Sequence, residues 1–106
     1  MIDIGIVHYR INSTGNEIDA VWYSSRLDKK ETGKGIVKGD TSNGFSGDYK
    51  ITYFDPDDNN AGTFDLKIIK SGLVYELYWS LDGEVLFVGV GIETSDGLSA
   101  GWRKAQ

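Results

Sequence analysis

Short alternations of apolar and polar residues run along almost the whole chain, and glycine-containing turns separate them. A period of two is typical of half-buried strands, and no window keeps a helical period over roughly ten residues. The pattern predicts eight strands: Ile4–Asn12, Glu17–Ser25, Gly33–Lys38, Gly47–Phe54, Gly62–Lys70, Val74–Leu81, Glu84–Glu93 and Leu98–Lys104. Sequential strands with short loops favour an all-β fold with little or no helix, an antiparallel up-and-down meander closed into a barrel. A β-sandwich is the alternative.

Two turns in the second half of the chain predict which residues share a face. A two-residue turn at Ser71-Gly72 places Leu66 opposite Leu77, and one at Asp82-Gly83 places Leu77 opposite Val88. Together they give one continuous apolar face across three strands. For the segment Glu84–Glu93 this predicts an inward set of Leu86, Val88, Val90 and Ile92 and an outward set of Val85, Phe87, Gly89 and Gly91.

The last hairpin has two registers. A three-residue loop Ser95-Asp96-Gly97 uses glycine in the left-handed position and places Val90 opposite Trp102, with both side chains inward. A two-residue turn at Asp96-Gly97 instead places Trp102 against Gly91, on the outside. The hydrophobic pattern favours the first register.

Length and composition narrow the class of protein. The 106 residues predict one β-barrel domain over 1–106, and the absence of cysteine excludes disulfides and thiolate zinc sites. The net charge of −5 argues against nucleic acid as a partner. The chain has no apolar run near the roughly 18 residues that span a bilayer, and no signal-peptide pattern at its start. We therefore expect a cytoplasmic protein with no membrane contact, no cofactor and no metal site.

Aromatic residues are the main candidates for a binding site. Large rings with a polar edge suit the wall of a ligand cup, and an eight-stranded barrel holds either packed side chains or one small ligand. The predicted ligand-binding residues are Trp22, Tyr49, Tyr75, Trp79 and Trp102. The expected activity is binding of a small, uncharged or weakly cationic ligand without catalysis. The alternative is that these rings only fill the barrel.

Other motifs carry less chemistry. The only histidine, His8, has no nucleophile motif around it, so we interpret it as a structural or surface residue, and we expect no catalytic residue. The acidic stretch Asp55–Asn60 alternates oxygens as a calcium loop does, but Asn60 stands where such a loop needs glycine. We interpret this stretch as a turn.

The predicted outer face of Glu84–Glu93 carries no charge, and no helix is predicted to cover it. This favours a homodimer, with Tyr78, Phe87, Gly89 and Gly91 as the interface. It also supports an alternative function, a regulatory or protein-interaction module that works through the outer face of strands six to eight.

Three segments carry a resemblance to a known family. Tyr75–Trp79, Val85–Gly89 and Leu98–Trp102 resemble the C-terminal hairpins of avidin-like barrels and of small bacterial β-proteins with a similar Gly-Trp ending. The resemblance covers roughly the last 60 residues, and it implies an eight-stranded meander that is often oligomeric. The polar biotin contacts of avidins have no residue-by-residue match here, so biotin binding is not carried over. The related calycin barrels imply small apolar ligands or regulatory protein contacts.

Overall fold

The computed structural model describes residues 3–12 and 17–105. In this part of the chain eight antiparallel strands form one closed barrel, in which each strand pairs with the next and the last pairs with the first. The strands are β1 (Ile4–Ile11), β2 (Glu17–Ser24), β3 (Gly33–Gly39), β4 (Gly47–Phe54), β5 (Asn60–Ser71), β6 (Val74–Leu81), β7 (Glu84–Thr94) and β8 (Gly97–Lys104). The predicted meander barrel is confirmed, and the sandwich alternative is wrong. Among the described residues there is no helix long and apolar enough to cross a membrane.

The core lies inside the barrel, and period-two alternation builds it. Successive side chains of a strand point to opposite faces, so every second residue enters the interior. The buried hydrophobic residues are Val7, Tyr9, Ile18, Ala20, Val37, Phe45, Tyr49, Ile51, Leu66, Ile68, Tyr75, Leu77, Trp79, Leu98 and Ala100. Leu66 and Leu77, which the sequence places on one apolar face, both belong to this set.

One end of the barrel is closed by the loop between β3 and β4. Phe45 of this loop is buried, and its ring packs edge-on against Tyr75, with ring centroids 6.4 Å apart. The Tyr49 hydroxyl donates to the Phe45 carbonyl at 3.0 Å, which holds the loop across the end. We call this the closed end. The opposite end, where β2, β4, β6 and β8 finish, is the open end.

A glycine occupies a turn position on either side of β6. Asp82 and Gly83 have φ values of 51° and 83°, the two left-handed residues of a type I′ turn, as the sequence predicts. On the other side the turn residues are Gly72 and Leu73, because Ser71 pairs with Val74. The register therefore differs by two residues from the predicted one, and Leu66 lies opposite Trp79. A shift of two leaves every side chain on its predicted face.

A β-bulge reverses the predicted facing of β7. Ser80 pairs with Val85, but Trp79 pairs with Phe87, so Leu86 is an extra residue. Beyond the bulge the predicted inward and outward sets exchange places, and the prediction for this strand is wrong. Phe87, Gly89 and Gly91 point inward, whereas Val88, Val90 and Ile92 point outward.

Ring size explains this choice of face. A side chain at Gly89 would place its Cβ 3.1 Å from the Trp79 ring and 3.3 Å from the Trp102 Cβ. The interior beside β7 is already filled by indole rings from the neighbouring strands. Glycines there are the small partners that large rings in a narrow barrel require.

The hairpin between β7 and β8 uses neither predicted loop. Thr94 pairs with Gly97, so the loop residues are Ser95 and Asp96, and Trp102 lies opposite Gly89 rather than Val90 or Gly91. Trp102 points inward, as the three-residue loop also predicted, but Val90 does not.

Candidate functional site: an aromatic cup at the open end

The open end contains a cavity of about 240 Å³ that opens to solvent. Its wall is formed by Trp22, Ser24, Arg26, Leu27, Tyr53, Ala61, Phe64, Trp79, Phe87 and Trp102. Six of these ten residues are aromatic, and all three tryptophans of the chain are among them. We call this cavity the cup.

Five of the rings pack against one another in a row around the cup wall, three pairs edge-to-face and the Tyr53–Phe64 pair tilted. The ring centroids of neighbours are 5.6 Å apart for Trp22 and Tyr53, 6.1 Å for Tyr53 and Phe64, 5.9 Å for Phe64 and Phe87, and 5.3 Å for Phe87 and Trp102. Such edge contacts add to the stabilisation that burial gives, so each ring orients the next. The wall is thus preorganised, with an apolar surface facing the cavity.

Glycines in the wall make room for the two indole rings nearest the rim. Trp102 is the cross-strand partner of Gly5, and Trp22 is the partner of Gly33. A Cβ on Gly33 would lie 2.6 Å from the Trp22 ring, and a Cβ on Gly5 would overlap the Trp102 ring. Each indole therefore lies flat against the backbone of its neighbour, which keeps the centre of the cup open.

The structure brings together three of the five predicted ligand-binding residues. Trp22, Trp79 and Trp102 line the cup, but Tyr49 and Tyr75 do not. Tyr49 stands four residues before Tyr53 in β4, and Tyr75 stands four residues before Trp79 in β6. Four residues of strand span about 13 Å, so both tyrosines point inward but lie at the closed end. The structure therefore does not bring these two tyrosines to the cup, because alternation fixes the face of a side chain and not its depth.

The sequence analysis missed the rings that complete the wall. Tyr53, Phe64 and Phe87 all face the cup. Tyr53 alternates with Tyr49 in β4, and Phe64 alternates with Leu66 in β5. The alternation of apolar residues could therefore have identified both rings as inward. Phe87 was predicted to point outward, because the hydrophobic pattern does not reveal the bulge in β7.

The floor of the cup is a hydrogen-bonded group of three side chains. Trp79 Nε1 donates to the Tyr53 hydroxyl at 2.7 Å, and the hydroxyls of Tyr53 and Tyr9 are 2.8 Å apart. Burial raises the pKa of both tyrosines, and the neighbouring Tyr53 raises the pKa of Tyr9 further. Both phenols are therefore neutral hydroxyls at physiological pH.

Two of the described wall residues at the rim, Ser24 and Arg26, are polar. Ser24 is buried, and its Oγ accepts the backbone N–H of Arg26 at 3.2 Å. The Arg26 guanidinium lies 3.8 Å from a carboxylate oxygen of Asp3, which does not belong to the cup wall. Trp22 Nε1 is already engaged by the carbonyls of Lys34 and Phe54, at 2.9 and 3.1 Å.

A second polar cluster lies on the outer face, beside the turn between β7 and β8. His8 Nδ1 is 2.7 Å from Ser99 Oγ, and His8 Nε2 is 3.2 Å from Asp96 Oδ2. Arg10 pairs with the other oxygen of Asp96 at 2.9 Å. These are the residue types of a serine nucleophile with its base and orienting acid.

The surroundings of this cluster do not suit nucleophilic catalysis. A serine nucleophile needs preorganised donors for the developing oxyanion. Ser99 lies within β8, between His8 of β1 and Ile92 of β7, so the interstrand ladders on both sides already use the local backbone. The cluster ties the turn of the last hairpin to β1. The interpretation of His8 as a structural residue agrees with this arrangement.

The acidic loop between β4 and β5 is held by its own backbone. Asp55 Oδ1 accepts the N–H groups of Asp57 and Asn59, each at 2.9 Å, and these bonds lower the pKa of Asp55. Asp58 has a φ of 64°, and Lys29 pairs with Asp57 at 2.7 Å. The stretch forms the turn that the sequence predicts.

The predicted dimer interface is not a single surface. Tyr78 points outward, where its hydroxyl donates to Glu76 at 2.8 Å, but Phe87, Gly89 and Gly91 point into the barrel. Those three residues cannot form an outer contact, since the bulge turns them inward. The outer face of β7, β8, β1 and β2 instead carries exposed aliphatic side chains, which are Ile4, Ile6, Val21, Val90 and Ile92. We call this set the aliphatic face.

Comparison with known proteins adds no relative. No family model, curated protein or solved structure matches the chain. The resemblance to avidin-like barrels therefore stays a prediction.

Proposed function

We propose that this protein is a non-enzymatic binding barrel whose cup holds one small, largely apolar ligand. The observation that carries the proposal is the cup itself: an open cavity in which all three tryptophans converge with three further aromatic rings. Ligand sites are concave and mostly apolar, and the mouths of β-barrels are among their preferred places. A core built only for stability has no need for an open cavity of this kind, because protein interiors are close-packed.

The volume of the cup limits the size of the ligand. Sites for drug-sized molecules measure about 300 to 1,000 Å³, and a cavity of about 150 Å³ already accepts benzene. At about 240 Å³ the cup lies between these values. The proposed ligand therefore has one aromatic ring with short substituents.

The proposal is binding without chemistry, because none of the residues that the structure describes supplies a general base to the cup. Among them the wall contains neither a histidine nor a carboxylate. His8 lies outside the barrel, where its partners are Ser99 and Asp96. Neutral tyrosine hydroxyls and buried indoles position a ligand well but do not take up a proton at neutral pH.

Tryptophan fluorescence tests the proposal directly, because every tryptophan of the chain lines the cup. Titration with small substituted benzenes is expected to quench or shift the emission in a saturable way, with matching heat in calorimetry. In the variant Ala61→Phe a new ring occupies the rim, and binding is expected to fall by at least tenfold.

Thr63→Phe is the matched control. It adds the same ring to the same strand, but Thr63 is exposed and its hydroxyl pairs with Thr52 on the outer surface, 3.1 Å away. This variant is expected to bind as the wild type does. Equal binding by both variants, or no saturable response from any single-ring compound, would show that the cup is not a ligand site.

The aliphatic face favours a second candidate function, self-association. Val90, Ile92 and Ile6 are 67%, 56% and 57% exposed. Gly101 lies between Val90 and Ile6 in adjacent strands, and it leaves a shallow depression that a side chain of a second copy can enter. We propose a homodimer through this face in place of the interface predicted from the sequence.

A further inference from the structure

The hydrogen-bonding groups that face the cup are unevenly divided between donors and acceptors. The floor group of Tyr9, Tyr53 and Trp79 holds three donor protons, one on each side chain. The Trp79 N–H and one of the two hydroxyl protons are used within the group, and the described residues provide no acceptor outside it for either hydroxyl. One hydroxyl proton is therefore left over.

The hydrogen bond between the two hydroxyls can run in either direction. Donation by Tyr9 is favoured, because Tyr9 is fully buried and does not line the cavity, whereas the remaining proton on Tyr53 reaches it. When Tyr9 donates to Tyr53, the Tyr53 oxygen accepts from both Tyr9 and Trp79, and its own proton points away from them. A buried donor without an acceptor is costly, so a ligand that supplies an acceptor at this point gains affinity.

The rim adds donors of its own. Trp102 Nε1 has no acceptor among residues 3–12 and 17–105, and the guanidinium of Arg26 carries a full positive charge. None of the wall residues in the described part of the chain is a carboxylate that could balance a cation. The expectation of a weakly cationic ligand therefore conflicts with the donors that the structure brings together.

We infer that the ligand is a planar aromatic carboxylate that carries a second oxygen acceptor at its opposite end. The second acceptor takes the free proton of Tyr53 at the floor, the ring lies among the aromatic side chains, and the carboxylate lies at the rim beside Arg26. The inference rests on the proposed function, because it names the class of molecule that the cup binds.

Four probes of nearly equal shape test the two ends separately. The reference is 4-acetylbenzoate, which has a carbonyl acceptor and a carboxylate. In 4-isopropylbenzoate the acceptor is missing, in 4-methylacetophenone the carboxylate is missing, and 4-acetyl-N,N,N-trimethylanilinium carries the opposite charge. Dissociation constants come from calorimetry and from tryptophan fluorescence at fixed ionic strength.

The reference is expected to bind tightest. Loss of the acceptor leaves the Tyr53 proton unpaired and weakens binding about tenfold. Loss of the carboxylate weakens binding about threefold, because Arg26 is 69% exposed and solvent screens its charge. The cation is expected to bind more weakly than the neutral probe. This comparison uses the wild-type protein, so it does not depend on any variant that fails to fold.

Two variants assign the effects to residues. The double variant Tyr53→Phe/Trp79→Phe removes both polar groups of the floor that line the cup, and in it the ratio between the acetyl and isopropyl probes is expected to fall to about one. Tyr49→Phe, which removes an inward hydroxyl at the closed end, keeps the ratio. Arg26→Gln is expected to abolish the preference for the carboxylate. Arg10→Gln, which removes an arginine on the outer wall, keeps that preference.

The outcomes separate this inference from the proposed function. If the trimethylanilinium probe binds as tightly as the carboxylate, or the acetyl preference survives in Tyr53→Phe/Trp79→Phe, the ligand class is wrong. If all four probes bind alike and Ala61→Phe abolishes the binding of all four, the inferred ligand class is wrong. The cup then remains a binding site for aromatic rings without this selectivity. If none of them binds, the proposed function fails together with the inference.

Discussion

Tyr75 shows how a tyrosine at the closed end couples folding to alkaline pH. Its hydroxyl donates to Glu93 Oε1 at 2.6 Å, and this hydrogen bond, together with burial, raises the pKa of Tyr75 to about 12. In the unfolded chain the same group titrates near the ordinary value of about 10. Above pH 10 the unfolded state therefore binds fewer protons than the native state, and stability falls as the pH rises.

We predict that the free energy of unfolding declines from about pH 10 and that the contribution of Tyr75 is lost by about pH 12. Denaturant unfolding at a series of pH values measures the decline, and tyrosinate absorbance counts the groups that ionise in the native state. Glu93→Gln removes the charged partner and is expected to move the titration of Tyr75 towards pH 10. An alkaline decline of unchanged slope in Glu93→Gln would contradict this account.

At the scale of single residues, three of the five residues predicted from the sequence line the cup. The other two, Tyr49 and Tyr75, lie at the closed end. The alternation correctly identified Trp22, Trp79 and Trp102 as inward, and it did the same for Tyr49 and Tyr75. Depth within the barrel depends on how far along its strand a residue lies. This distance tells whether a residue lines the cup only once it is known which end of the barrel is open. The Phe45 loop closes the other end, and no distinctive sequence pattern marks this loop.

Individual strands were predicted almost to their ends, since turn residues mark them and period two fills them. The failure in β7 has a single physical cause. Both faces of this strand are apolar, so neither register violates the pattern, and one extra residue at Leu86 exchanges the faces. The aliphatic residues were expected inside, but glycines lie there because Trp79 and Trp102 need the space.

The same packing predicts which glycines tolerate a side chain. In Gly5→Ala the new Cβ meets the Trp102 ring and lies 2.5 Å from the Tyr23 carbonyl, so the backbone must shift. We expect a loss of about 1–3 kcal/mol in the free energy of unfolding and weaker binding in the cup.

Gly101→Ala is the control, because Gly101 points outward and its nearest neighbour, the Gly5 oxygen, is 4.0 Å away. Its effect on stability is expected to stay within about 0.5 kcal/mol. Denaturant unfolding at low protein concentration measures both variants. Equal stability of the two variants would contradict this account, because it would show that a Cβ fits beside the Trp102 ring.

The interior of the barrel differs between its two ends. Side chains fill the closed end, where the Phe45 loop covers the core, and aromatic rings line the open end around a cavity. A closed barrel has no free strand edges, so association by strand pairing is excluded. The aliphatic face is the outer region best suited to contact with another molecule, because five exposed aliphatic side chains lie within four adjacent strands.

The size of this face fits a second copy of the chain. Four strands of about eight residues present roughly 20 by 27 Å. This area is of the same order as the roughly 800 Å² that each partner of a standard interface buries. The acidic net charge opposes association, so added salt is expected to strengthen the dimer by screening.

Ile6→Lys tests the dimer, with Ile36→Lys as its matched control. Both residues are exposed isoleucines on outer faces, and both substitutions change the net charge equally, but only Ile6 lies on the aliphatic face. Light scattering and sedimentation from low micromolar to submillimolar concentration are expected to give twice the chain mass for the wild type and Ile36→Lys. Ile6→Lys is expected to be monomeric, because a lysine beside Gly101 would bury an unpaired charge at the centre of the contact. A wild type that stays monomeric over this range, or a dimer that both variants disrupt equally, would show that the aliphatic face is not the dimer interface.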